Sequence, residues 1–362
     1  MYEFIGIKRF RQFHAFELSG LTRVNLLVGR NNAGKTSLLE AVELLASGGR
    51  ASSLLRSPRR RGEVSSNTSE DRSIRMEFDV RHLFLGHMLE AGSSFELLAR
   101  SGIVETVVQC EVQHAPRDES QLEPVPDAMD LEPQLALVLR GPEAPEGILL
   151  RVSAEGALLS DFSRRVQPVA LQGSSPVVFL GTEGAPADSL QRIWDSLVLT
   201  SEEEKVTAAM KIIEPSIERL AFTSREARLS SAAFVKLAGR DQRVPLGSLG
   251  DGIRRLLALA IFLARAAGGV LLVDEIDTGL HYTTLESMWR FVIEAARRLD
   301  VQIFATSHSG DCVRALAWLQ SDDPGLASEV SVHRVEKGAD AAVLYSAAEI
   351  ETAARHHIEV RG

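Results

Sequence analysis

The chain has 362 residues, 45% hydrophobic and 25% charged, the make-up of a soluble globular protein with room for a large core and one inserted lobe. Its formal net charge of −9 opposes non-specific attraction to nucleic acid, and no apolar run approaches the ~20 residues that span a bilayer. Two distant cysteines, Cys110 and Cys312, suggest neither a disulfide framework nor a zinc site, and the charged opening MYEFIGIKRFRQF lacks the apolar stretch of a secretion signal, so a cytoplasmic protein is expected.

Phe4, Ile5, Ile7 and Phe10 alternate with polar neighbours as in a strand, and a second short strand is expected through Phe16 and Leu18. Val24 to Val28 is a compact apolar run suited to a buried parallel strand. It leads into GRNNAGKT, and Leu38, Leu39, Val42 and Leu45 then repeat with helical spacing until Gly48 and Gly49. Residues 56 to 73 are polar and read as an exposed loop; Arg56, Arg59, Arg60 and Arg61 make it locally basic. Strand-like stretches recur at 74–80, 95–99, 103–112, 135–139 and 148–152, whereas 115–133, rich in Pro, Asp and Glu, reads as a flexible acidic excursion. Strands without intervening helices suggest an antiparallel lobe. Strand 177–180, helices 189–199 and 202–213, and strands 217–223 and 232–237 follow. The last third alternates cleanly: helix 251–266, strand 270–273, helix 283–298, strand 301–305, helix 311–319. That alternation predicts a mostly parallel sheet covered on both faces. The divisions expected are 1–50, 51–175 as a β-rich inserted lobe, 176–240 as a connector, and 241–362.

Four segments carry chemistry. Gly29-Arg30-Asn31-Asn32-Ala33-Gly34-Lys35-Thr36, followed by Ser37, is a complete GxxxxGK[ST]. Its glycines let backbone N–H groups wrap phosphate oxygens, Lys35 reaches the β- and γ-phosphates of ATP, and the Thr36 hydroxyl ligates Mg²⁺. Val270 to Val273 runs into Asp274 and Glu275, placing two acids at a strand's carboxyl end. Asp274 suits the Mg²⁺ shell and Glu275 the polarisation of an attacking water. Val301 to Ala305 leads into Thr306, Ser307, His308 and Ser309, with His308 placed to hydrogen-bond a γ-phosphate. Pro245 to Gly252 is a small, Gly-rich turn at a helix start, a second anion-binding device whose natural use is the γ-phosphate bound to a partner chain.

These four segments in this order resemble the nucleotide-binding domain of the ABC/SMC/RecF group of ATPases. The resemblance implies an α/β P-loop domain, a mostly parallel core sheet with an antiparallel β lobe, and an inserted region. It implies that a homodimer or higher homo-oligomer sandwiches ATP between the phosphate loop of one copy and the signature turn of another. Ser248 and Gly250 then match the serine and second glycine of the LSGGQ-like signature, Asp251 stands for its glutamine, and Leu249 replaces the first glycine. Asp274 matches the Mg²⁺-associated acid, Glu275 the catalytic glutamate, Asp277 the D-loop acid and His308 the switch histidine. DEIDTGLH from Asp274 to His281 and FATSHS from Phe304 to Ser309 resemble the OLD-like branch, whose ATPases often serve phage defence alongside a TOPRIM-type nuclease. No glutamate followed by a DxD motif is found after the ATPase core, so any such nuclease is expected as a separate effector subunit. The likeness covers roughly the first fifty and last hundred and fifty residues. The glutamine of the family's Mg²⁺-contacting loop has three candidates, Gln109, Gln167 and Gln172. Arg9 and Arg11 stand where SMC relatives touch nucleotide, or are surface charges. The rival reading is a RecF-like repair ATPase binding duplex DNA in its ATP-closed dimer, with Arg56 to Arg61 on the phosphates; a transporter engine ranks third.

Overall fold

The structure, a computed structural model, describes residues 1–68, 74–115, 134–153, 156–159, 175–223, 232–356, 358 and 360. Most of the expected acidic excursion at 115–133, and Gln167 and Gln172, lie outside the described residues. Contacts divide the chain into two compact units, one of Met1–Glu3, Leu18–Leu39 and Ser175–Gly362, the other of Phe4–Glu17 and Glu40–Ser174.

The first unit is built on a six-stranded sheet in the order Val177–Leu180, Val270–Val273, Gln302–Ser307, Val24–Val28, Val330–Arg334, Val343–Tyr345. All neighbours run parallel except the last pair. The Val24–Val28, Val270–Val273 and Gln302–Ser307 strands are buried at every position, as expected of strands covered on both faces. One apolar core joins Val24, Leu26, Leu271, Val273 and Ile303 to the helices Asp251–Arg265, Leu285–Leu299 and Gly310–Asp322. Leu285–Leu299 shows why such segments fold as they do. Leu285, Met288, Trp289, Val292, Ile293 and Ala296 are buried at helical spacing, and Asp300 closes the helix in the left-handed conformation. Strand Val330–Arg334 carries buried Ser331 and His333 in place of aliphatics. They belong to a polar chain in which Ser331 donates to Asn25 at 2.9 Å and Asn25 donates to the Ile303 carbonyl at 3.0 Å.

The second unit holds a six-stranded sheet in the order Phe13–Ser19, Phe4–Phe10, Ser94–Ser101, Val104–His114, Leu135–Gly141, Ala144–Arg151, antiparallel from Phe4–Phe10 onward. Ala157–Leu159, Ile74–Asp79 and Val64–Thr68 form a smaller sheet. Phe95 packs between Phe10 and Phe84, with ring centroids 5.2 and 5.4 Å away.

One expectation is corrected here. Residues 56–68 are not an exposed loop but a helix, Arg56–Arg61, and a strand, Val64–Thr68. The order comes from charge pairing, which apolar periodicity does not report. Arg61 reaches Glu40 at 2.8 Å, and Arg60 and Arg56 pair with Glu43. Glu40 and Glu43 are both buried. Arg11 is buried as well, 2.6 Å from Glu40 and 3.3 Å from Glu63, and also donates to the Ser57 hydroxyl. Arg11 is therefore an internal charge rather than a surface one, and three of the four arginines of the expected basic patch are engaged within the molecule.

Candidate active site

The three motif-bearing strands of the first unit are neighbours, with Gln302–Ser307 between Val270–Val273 and Val24–Val28. Because they run parallel, their carboxyl ends coincide, where open α/β sheets bind ligands. The phosphate loop, the two acids and His308 are thus brought together by sheet order alone.

The loop from Gly29 to Gly34 has the backbone such a cradle needs. Gly29, Asn32 and Gly34 take φ of 149°, 62° and 104°, and asparagine is among the few side chains that tolerate this region. A Cβ on Gly29 would meet the Val335 carbonyl oxygen at 2.3 Å, so only glycine fits. Asn31 and Asn32 are exposed, while Ala33, Gly34, Lys35 and Ser37 are buried. Lys35 Nζ donates to the Gly29 and Arg30 carbonyls at 2.7 and 2.8 Å. Burial pulls its ammonium below the usual lysine range, and the nearby Asp274 and Glu275 oppose that pull. The helix Lys35–Ala46 starts here and directs its N-terminal dipole at the loop.

Thr36 Oγ1 donates to Asp274 Oδ2 at 3.0 Å. Thr306 Oγ1 donates to Asp274 Oδ1 at 2.6 Å and accepts the Glu275 N–H at 2.8 Å. Glu275 takes φ of 50°, unfavourable for a residue with a side chain. Its carboxylate lies 3.3 Å from His308 Nδ1 and accepts from Thr278 Oγ1 at 3.3 Å. Asp277, half-buried in the same turn, has a buried Oδ1 without a hydrogen-bond partner.

The signature turn stands apart from this cluster in character. Leu246–Leu249 is a short 3-10 turn, and Gly250, with φ of 97°, caps the helix Asp251–Arg265 with no side-chain hydrogen bond. Ser248, Gly250 and Asp251 are exposed, and Leu249 packs partly into the core. That packing accounts for a leucine where the resemblance expects glycine. A cavity of about 750 Å³ opens beside the turn, lined among others by Ser248, Asp251, Arg254, Thr278 and Gly279. The helix approaches the D-loop turn closely, since a Cβ on Gly252 would stand 2.8 Å from the Gly279 carbonyl oxygen.

Two participants were not singled out from the sequence. Thr306 lies inside a quoted motif but has no role there until the sheet places its hydroxyl against both acids. Arg255 looks like one charge on an amphipathic helix, yet it is buried and donates to the carbonyls of Gly181, Asp274 and Glu275 at 2.6, 2.7 and 2.8 Å. Of the three glutamine candidates, Gln109 sits in the second unit's sheet and donates to Glu96 at 2.7 Å.

Comparison with known proteins agrees with this geometry. A family model described as "AAA ATPase domain" matches residues 1–129, and one described as "AAA domain, putative AbiEii toxin, Type IV TA system" matches residues 195–311. An ATP/GTP phosphatase of Helicobacter pylori is 21% identical over 348 residues, 87% of either chain. The DNA replication and repair protein RecF of Xanthomonas euvesicatoria is 52% identical over 44 residues, 12% of either chain. Among solved structures, an SMC head bound to the C-terminal winged-helix domain of ScpA aligns with a TM-score of 0.51 at 13% identity, over 95% of this chain and 97% of that one. An Smc head with an extended coiled coil, bound to the C-terminal domain of ScpA from Pyrococcus furiosus, aligns with a TM-score of 0.50 at 12% identity, over 100% and 99%. The last two show the fold, and no helix among the described residues is long and apolar enough to cross a membrane. Sheet order, phosphate loop, paired acids and relatives converge: the chain is a P-loop ATPase, an enzyme that hydrolyses ATP, with the fold of SMC heads and a similarity to the ABC/SMC/RecF type.

Proposed function

We propose that ATP with Mg²⁺ binds at Gly29–Thr36 and that a second copy of the chain closes over it through Ser248–Gly252. The observation that carries this reading is the contrast within one chain. The phosphate loop, Asp274, Glu275 and His308 are already clustered, whereas the signature turn is an exposed helix N-terminus without a side-chain cap, open to a ligand from outside.

Thr36 and Asp274 suit Mg²⁺, which takes few protein oxygens and completes its shell with water and phosphate. When bound, the ion neutralises charge on the β- and γ-phosphates. Lys35 leaves the Gly29 and Arg30 carbonyls for phosphate oxygens. Glu275, steadied by Thr278 and His308, orients a water in line with the γ-phosphate, and His308 faces the same phosphate. Once phosphate leaves, the anion shared by the two copies is gone and the dimer opens, so turnover acts as a timer for a conformational change.

The cycle serves a separate effector subunit, of TOPRIM nuclease type, in an OLD-like defence system. Two findings support that assignment: the family description for 195–311 names a toxin system, and the SMC heads of like fold are solved with a separate protein bound. The short RecF match favours a second reading, duplex DNA bound by the closed dimer. The net charge and the internal pairing of Arg56, Arg60 and Arg61 weigh against it.

The test is the solution mass of Glu275→Gln by light scattering, with and without ATP and Mg²⁺. A rise in mass with nucleotide is expected, since binding is kept and turnover is slowed. A monomer in both conditions would overturn the two-chain site. Salt-dependent duplex DNA binding by the trapped form would favour the RecF-like reading over the effector reading.

A further inference from the structure

The helix Asp251–Arg265 begins at the signature turn, and four residues on from Asp251, on the same face, stands Arg255. Its neighbours Ile253, Leu256 and Leu257 are core residues, yet a guanidinium is kept at this depth. A buried cation is costly unless fully compensated. Here the two terminal nitrogens are compensated by three main-chain carbonyls, with hydrogen bonds of 2.6 to 2.8 Å, while the buried Nε has no hydrogen-bond partner among the described residues. Two of them, those of Asp274 and Glu275, belong to the paired acids; the third, of Gly181, follows the neighbouring strand Val177–Leu180. Burial works against the charged form and the nearby Asp274, Asp277 and Glu275 support it. The bonds fall where the backbone is least comfortable, at Glu275 with φ of 50°. Thr306 holds its N–H at 2.8 Å and Arg255 holds its C=O at 2.8 Å, so the residue is gripped from both sides. That grip fixes the backbone from which the Glu275 carboxylate projects.

We infer that Arg255 is a positioning residue for hydrolysis, holding the Asp274–Glu275 peptide from the same helix whose N-terminus meets the partner's ATP, and so linking the two nucleotide sites of a dimer. The positioning half rests only on the hydrogen bonds above. The linking half rests on the two-chain reading: a γ-phosphate arriving at Ser248–Gly252 shifts the helix, and Arg255 passes that shift to its own chain's Glu275. A displacement below 1 Å suffices, since misplacing a catalytic group by about that distance costs on the order of 100-fold in rate.

The experiment measures steady-state ATP hydrolysis by the full chain, wild type against Arg255→Met and Arg255→Lys, with fluorescent ATP binding and thermal melting on the same samples. Arg255→Met removes the donors at similar length and is expected to lower kcat by about 10- to 100-fold while KM and nucleotide affinity stay within about threefold. Arg255→Lys, keeping a charge and some donors, is expected to recover part of that loss. The ATP dependence is expected to be cooperative in the wild type and hyperbolic in both variants. If kcat holds within about twofold in Arg255→Met, or falls only in step with nucleotide binding or folding with no recovery in Arg255→Lys, the positioning role is wrong. If kcat falls as expected but a cooperative curve persists, the link between sites is wrong. A wild type that stays monomeric with ATP defeats the two-chain reading and the link together, while the kcat comparison still decides the positioning role.

Discussion

Each unit of the molecule buries an arginine, and the two are satisfied in opposite ways. In the second unit Arg11 faces carboxylates, Glu40 at 2.6 Å and Glu63 at 3.3 Å, and Arg61 shares Glu40. In the first unit Arg255 binds carbonyls alone, with Asp274, Asp277 and Glu275 nearby; the carboxylates of Asp274 and Glu275 are turned to Thr36, Thr306, Thr278 and His308. An arginine neutralised on the spot is a clamp that joins segments distant in sequence. An arginine held by carbonyls leaves the adjacent carboxylates without an ion pair to it, as the proposed phosphate and Mg²⁺ site requires. The difference shows that burial alone does not separate a structural charge from a functional one; the identity of the acceptors does.

The comparison can be broken at the clamp first. Arg11→Ala would leave Glu40 and Glu63 short of a buried partner and is expected to cost about 3–5 kcal/mol of stability, measured by urea unfolding. The exposed Arg59→Ala serves as its control, expected within about 0.5 kcal/mol. An Arg11 variant as stable as the control would mean that the cluster does not hold the 56–68 segment. On the active-site side, Glu275→Gln is expected to lower the hydrolysis rate by about 10²–10³ with ATP binding intact, read by single-turnover kinetics. A wild-type rate would remove Glu275 from the chemistry.

Smaller effects sharpen the same contrast. His333, fully buried and bonded through Nε2 to the Ser331 hydroxyl at 2.7 Å, has its pKa lowered by burial from 6.5 to about 4. Between those values the unfolded chain takes up a proton that the folded chain refuses, so stability falls as pH drops through the window. The loss reaches about 3 kcal/mol at its lower end and vanishes above pH ~7. Melting curves of wild type and His333→Gln across this range would show it as a slope that the variant flattens. Thr306→Val is expected to lower turnover by about tenfold, since it removes one hydrogen bond to Asp274 and one to Glu275 while keeping the side-chain shape. Unchanged turnover would leave Arg255 as the main grip on that turn.

The strands of the first unit at 177–180 and 270–273, in the parallel sheet, and at 217–223 and 232–237, an antiparallel pair, coincide with their sequence expectations, because strands that bury apolar side chains write their environment into apolar spacing. The phosphate loop and the paired acids were legible for a related reason: each is local, a fixed run of residues after an apolar strand. Val330–Arg334 carries no such trace, since Ser331 and His333 are buried through a polar chain to Asn25, more than 300 residues away in sequence. The helix and strand at 56–68 were hidden in the same way, their order resting on Glu40 and Glu43. Sequence by itself thus determined the nucleotide chemistry and the parallel core, since backbone dihedrals, hydrophobic periodicity and motif spacing act over a few residues. Tertiary structure alone decided which charges are clamps and which serve the site, because a buried charge takes its meaning from acceptors that only the folded chain brings within 3 Å.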